Sequence, residues 1–179
     1  MAEVDFEKFL VDSSRALADM AVESIGDDPV LLDKIYRIAL KEDGKTSMRA
    51  ARVFDLADEA RPGLAKSYLD DAARRIPQIK HTSVQRCLMR TLSRYPLTEN
   101  EEILGRFYDF CFKLITSQTA PVAVRYYGMF FAYQTCLKEP DLKHELIPIL
   151  EEVIRIDSAG MKVRARDFLK DIIKRFGRD

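Results

Sequence analysis

Four arginines stand out in this sequence for their spacing. Arg49, Arg86, Arg125 and Arg164 are separated by 37, 39 and 39 residues. Each lies near the start of a helical stretch, after an apolar residue and ahead of an apolar stripe. Arg52 and Arg90 follow Arg49 and Arg86 by about one helical turn. A guanidinium is planar, always charged and carries five N–H donors. A row of them can form a basic groove for a phosphate-bearing or acidic partner. The same row has a structural use, as a ladder between repeats that pairs with acidic side chains or helix-end carbonyls. An arginine fixed by repeat geometry needs no ligand, so both readings stay open. Near Arg125, residues 126–133 hold five aromatics in eight positions. Tyr126, Met129, Phe130 and Tyr133 share one helical face. That face is either a packed core or an aromatic patch for a peptide or a base.

Other chemistries lack their residues. Cys87, Cys111 and Cys136 are 24 and 25 apart, with no C-x-x-C. An odd, scattered set argues against a disulfide framework and for a reducing compartment, the cytosol. Each lies in an apolar helical stretch, where free cysteine behaves as a small hydrophobe. His81 and His144 are 63 apart and sit in no zinc-type spacing, so no metal is expected. No glycine-rich phosphate loop and no G-x-S-x-G elbow occur. Glu101-Glu102 and Glu151-Glu152 are sequence neighbours, and adjacent side chains on a helix diverge. They are solvated charges, not an acid/base pair. A non-catalytic protein without a cofactor is expected.

Composition agrees. The 179 residues carry 29 basic and 29 acidic side chains, for a net charge of zero, and 47% are apolar. A net basic nucleic-acid binder is disfavoured. No apolar run approaches the roughly 20 residues that span a bilayer, so no membrane partner is expected. The acidic start lacks the basic and apolar regions of a signal peptide. The charge is not evenly spread. Residues 1–45 carry −5, residues 46–96 carry +5, residues 97–157 carry −4 and residues 158–179 carry +4.

The elements that position these residues are helical. Ile103, Phe107, Phe110 and Leu114 form one stripe, and Leu104, Tyr108, Cys111 and Ile115 the next, at spacings of three and four. No period-two stretch or hairpin turn is seen, so no strand is required. The breaks predict nine helices, over 4–25, 29–41, 47–60, 64–76, 83–94, 99–117, 121–137, 141–156 and 161–176. Asp28 caps the second, with Pro29 at its first position. Gly44 is expected to close it in the left-handed conformation. Thr98 to Glu101 reads as a capping box. Pro148 should kink or interrupt the eighth helix. Gly128, in mid-helix, is expected to admit a neighbour closely.

A pitch just under 40 residues fits a two-helix repeat. The steps Met48-Arg49, Val124-Arg125 and Val163-Arg164, each opening the second helix of a pair, resemble the Val-Arg step of HEAT repeats. The resemblance covers residues 28 to 176. The pattern departs from the family where an Asp normally precedes the Arg by six. Asp43 fits Arg49, but Lys80, Thr119 and Ser158 stand at the other three positions, and Asp157 is one residue off. The resemblance implies an all-α, right-handed α–α superhelix of about four HEAT/armadillo-like repeats in one domain, 1–179. It is also similar to a group of small bacterial proteins of that fold. The first helix, with Glu3, Asp5, Glu7 and Asp12, would be a polar cap. The last, with Lys170, Lys174, Arg175 and Arg178, would be another.

The resemblance further implies a protein-interaction or scaffolding role, in a cytoplasmic protein. A concave, partly basic wall would meet an acidic segment of another protein through Arg49, Arg52, Arg86, Arg90, Arg125, Tyr126 and Arg164. The alternative is nucleic-acid binding, in the manner of the HEAT-like alkylpurine DNA glycosylases. Those hold a cationic base against aromatics that include Trp, and this chain has no Trp. A third reading is a structural subunit whose end helices stack on another chain.

Overall fold

The structure, a computed structural model, describes residues 4–178. Glu3, counted above in the polar cap, lies outside them. Among the described residues there are nine α-helices and no strand. None of these helices is long and apolar enough to cross a membrane. The chain divides into two compact units, one ending at Pro96 and one beginning at Leu97.

The first unit holds α1 (Arg15–Ile25), α2 (Pro29–Ala39), α3 (Gly44–Ala60), α4 (Leu69–Arg75) and α5 (Thr82–Leu92). α3 is its centre and packs against α1, α2 and α5. The apolar stripes of these helices bury Ile25, Leu32, Ile35, Phe54 and Leu88 almost completely. Tyr36, Phe54 and Tyr68 form a ring cluster with centroids 4.7 to 5.4 Å apart.

The first expected helix, 4–25, is corrected to a short 3-10 turn at Phe6–Lys8 followed by α1. Ser14 caps α1, accepting from Leu17 N–H at 3.3 Å, and Ser14 N–H itself donates to Asp12 at 2.6 Å. A continuous helix would have used the carbonyls of Leu10 and Ser13 within its own ladder. Here Arg49 and Arg52 of α3 donate to those two carbonyls, each at 2.7 Å. The expected helix 64–76 is also shorter. Gly63 sits at φ +111°, and the N–H groups of Gly63 and Ala65 donate to Tyr95 and Asp58, each at 2.9 Å. The positive-φ turn at Gly63 and a 3-10 turn at Lys66–Tyr68 occupy the start of the expected helix, and α4 begins only at Leu69.

Asp28 caps α2 as expected, its carboxylate accepting from Val30 N–H at 2.8 Å. Gly44 has a positive φ, but it opens α3 and does not close α2. The left-handed residue between the two helices is Glu42.

The second unit holds α6 (Glu101–Ile115), α7 (Val122–Lys138), α8 (Lys143–Ile156) and α9 (Ala159–Phe176). α6 pairs with α7, α8 with α9, and α7 also meets α9. Ile115, Met129, Cys136, Leu146, Leu150 and Ile172 form its core. The capping box is corrected by two residues. Asn100 is the cap, accepting from Ile103 N–H at 3.1 Å, and Thr98 accepts from Asn100 N–H. Pro148 does not interrupt α8. It lies on the exposed face, as does His144, so the carbonyl that the proline cannot bond faces water.

All three cysteines are free and buried. Burial pushes the Cys87 thiol up to about 11 and the Cys111 thiol well above its ordinary range.

Candidate functional site

The sequence-selected arginines divide by what they touch. Arg49 donates to the Leu10 carbonyl and, through Nε, to Ser13 Oγ at 3.3 Å. Arg125 is the most enclosed of them where side-chain exposures can be compared, at 16%. Its guanidinium donates twice to the Ile115 carbonyl at the end of α6, at 3.1 and 2.8 Å, and also engages Asp157. These two arginines tie helix ends together. Arg164 is exposed, with Asp167 of its own helix at 3.7 Å. Tyr126 is half-buried against the core of the second unit, its ring 5.2 Å from that of Tyr127. Arg86 is exposed and makes no hydrogen bond or ion pair among the described residues.

Arg52, Arg86 and Arg90 come together. With Arg15 they line a cleft of about 270 Å³ in the first unit, together with Asp55, Leu56, Glu59 and Cys87. Three helices build it. α1 brings Arg15, α3 brings Arg52, and α5 brings Arg86 and Arg90 one turn apart.

A buried polar network holds α3 and α5 in register beneath this cleft. Asp55 and Asp58, 2% and 1% exposed, lie on α3. Arg90 donates to Asp55 at 2.7 Å and also binds Glu59. Arg94 donates to Asp58 and Asp55 at 2.9 Å and to the Asp55 carbonyl at 3.0 Å. Thr91 donates to Asp55 at 3.1 Å, and the Tyr95 hydroxyl donates to Asp58. Every oxygen of these two buried carboxylates accepts at least one hydrogen bond, which is how a charge survives burial.

Sequence reasoning passed over Asp55, Asp58, Tyr95 and Arg15. A signal was present. Asp55 and Arg90 are 35 apart, Asp58 and Arg94 are 36 apart, close to the pitch of the arginines. Two other ties share that pitch. Tyr36 donates to Asp71, which also accepts from Arg75. Tyr133 donates to Asp171, which also accepts from Arg175. Burial, together with the carboxylate of Asp171, pushes the Tyr133 hydroxyl up to about 12.

Asp157 makes the Arg125 tie sensitive to acid. Burial raises its pKa, but hydrogen bonds from Ser158 N–H and Arg125 outweigh this and hold it below the ordinary carboxylate range. A carboxylate depressed in the folded state stabilises fully above its unfolded pKa, about 4. That stabilisation is lost as the pH falls through the lower folded value. Arg125→Met removes one source of the depression. Its stability should therefore fall less steeply than wild type's in urea titrations taken downward from about pH 4. Parallel acid profiles would show that the pair contributes nothing to the linkage.

Among the described residues no three His, Cys, Asp or Glu side chains gather in a way that could hold a metal ion. A model of the HEAT repeat domain family matches residues 7–172. No curated protein and no solved structure matches the chain.

Proposed function

We propose that this chain, which belongs to the HEAT repeat domain family, is a non-catalytic interaction module whose basic cleft receives an acidic segment of a partner protein. HEAT repeats mediate protein interactions, and that general role is the premise. The matched span covers most of both compact units, which are taken as one repeat domain. The observation that carries the finer reading is the cleft. Three helices deliver four arginines to one place, and one of these, Arg86, has nothing inside the molecule to do. An arginine of that kind stabilises nothing by itself, whereas Arg49 and Arg125 are consumed by helix ends. Arg52, Arg86 and Arg90 are therefore assigned the contact with the partner. Arg164 and Tyr126 of the second unit are assigned accessory contacts.

Fluorescence anisotropy with labelled hexaglutamate tests this. Binding should be detectable at low salt and should weaken about tenfold or more in Arg86→Glu, since charge-assisted hydrogen bonds are lost and a repulsion is added. Equal binding by Arg86→Glu and wild type would sink the assignment. Tight binding of duplex DNA with a steep salt dependence would favour nucleic acid instead.

A further inference from the structure

We infer that the cleft is a receptor for a phosphomonoester, the phosphorylated side chain of a partner protein. This inference rests on the cleft being the acidic-partner site.

Charge comes first. Arg15, Arg52, Arg86 and Arg90 face Asp55 and Glu59 across the cleft, four cations against two carboxylates. Asp55 and Glu59 hold Arg90 and Asp19 holds Arg15 at 2.7 Å, so the surplus is the two positive charges of Arg52 and Arg86, which no carboxylate among the described residues pairs. Arg94, which does not line the cleft, pairs with both Asp55 and Asp58 and adds nothing to this surplus. A phosphomonoester carries about −1.5 to −2 at neutral pH, concentrated on three oxygens. One such group matches the surplus. A carboxylate supplies half of it, and a run of carboxylates would bring further negative charge against Glu59, whose side chain is 46% exposed.

Donor geometry points the same way. Among the described residues Arg86 uses none of its N–H groups, and Arg52 uses one, on the Ser13 carbonyl at 2.7 Å. Two guanidinium forks with nine N–H donors between them suit a tetrahedral oxyanion. Arg90 is of another kind. Asp55 and Glu59 hold it, so it supplies fixed charge and no fork of its own. Its anchorage keeps one wall of the cleft preorganised, which lowers the ordering cost of binding.

Size sets the limit. At about 270 Å³ the cleft is smaller than the roughly 300–1,000 Å³ of ordinary small-molecule pockets. It has room for one side chain and its phosphate.

The test is an NMR titration of the full chain, 15N-labelled at arginine. The probes are blocked Gly-pSer-Gly, Gly-Glu-Gly, inorganic phosphate and hexaglutamate. The phosphopeptide should move the Nε signals of Arg52 and Arg86 and bind about tenfold or more tighter than its glutamyl counterpart. Inorganic phosphate should bind no tighter than the phosphopeptide. Arg86→Ala should weaken phosphopeptide binding about tenfold or more. Arg86→Lys should lie between, because it keeps the charge and loses the fork. Arg74→Ala, an exposed change outside the cleft, should bind like wild type. Equal affinity for the glutamyl peptide would overturn the phosphomonoester and leave the acidic-segment reading standing. Tighter binding of free phosphate would overturn a partner side chain as its source. Silence of the cleft toward every probe, hexaglutamate included, would overturn both. Undiminished binding by an Arg86→Ala protein with wild-type circular dichroism would move the site elsewhere.

Discussion

Asp55→Ala will cost the first unit about 3–5 kcal/mol, the range for a buried ion pair that loses one partner. The carboxylate is 2% exposed and is shared by Arg90, Arg94 and Thr91. Its removal leaves two guanidinium groups whose side chains are only 38% and 26% exposed. Arg90 on α5 keeps Glu59 and Arg94 just beyond α5 keeps Asp58, but neither regains full hydration where it stands. Whole domains are stable by only about 5–15 kcal/mol, so much of the unit's stability is at stake. The cost is mainly that of stranded charge. Adding Arg90→Met, which keeps an apolar stem of similar length and leaves only the half-exposed Glu59 without its arginine, should therefore recover part of the loss. Urea unfolding of the two single variants and the double variant measures this. If the double variant is as unstable as the summed singles, the residues act independently, and α5 does not depend on the network for its position.

Gly128→Val should destabilise the second unit by about 3 kcal/mol, at the upper end of the usual cost of overpacking. A Cβ at Gly128 would lie 2.8 Å from the Cys111 carbonyl oxygen and 2.9 Å from Leu114 Cβ. The first of these is backbone and the second survives any truncation to alanine. α6 and α7 would have to separate. Even Gly128→Ala, which gains about 1 kcal/mol of helix propensity, should lower the melting temperature. Leu114→Ala should not rescue either variant, because its Cβ remains. A melting temperature equal to or above that of wild type for Gly128→Ala would show that the helices can part at no cost.

Much of this architecture was legible because helical periodicity is a local property. The stripe from Ile103 to Leu114, the break at Asp28-Pro29 and the close approach at Gly128 can all be read within a few residues. What failed was also local, but was decided from a distance. The helix drawn through residues 10–13 ignores two arginines of α3 that compete for its carbonyls. The helix drawn from residue 64 ignores Tyr95 and Asp58, which pin the turn at Gly63 from outside the segment. Pro148 was judged by its ring alone, yet the exposed face of α8 tolerates the missing hydrogen bond.

The candidate site was legible by residue type and opaque by partner. The arginines recur at one pitch, and their fates differ because acceptors do not recur with them. Arg125 finds Asp157 and the end of α6, Arg49 finds the segment before α1, and Arg86 finds nothing. Asp55 and Asp58 look like surface acids on an amphipathic helix until α5 is laid against them. A pairwise search for acids and bases one pitch apart would have exposed both.

The side-chain ties within each unit close short loops. Lys34 reaches back 30 residues to Val4, Arg90 reaches 35 to Asp55, and Lys138 reaches 40 to Thr98. Chain entropy rises only slowly with loop length, and contacts confined to such separations favour rapid assembly. Within either unit, a newly made helix need wait only for the one synthesised shortly before it. The polypeptide is thus suited to organise progressively as it leaves the ribosome, with little apolar surface left waiting for a distant mate.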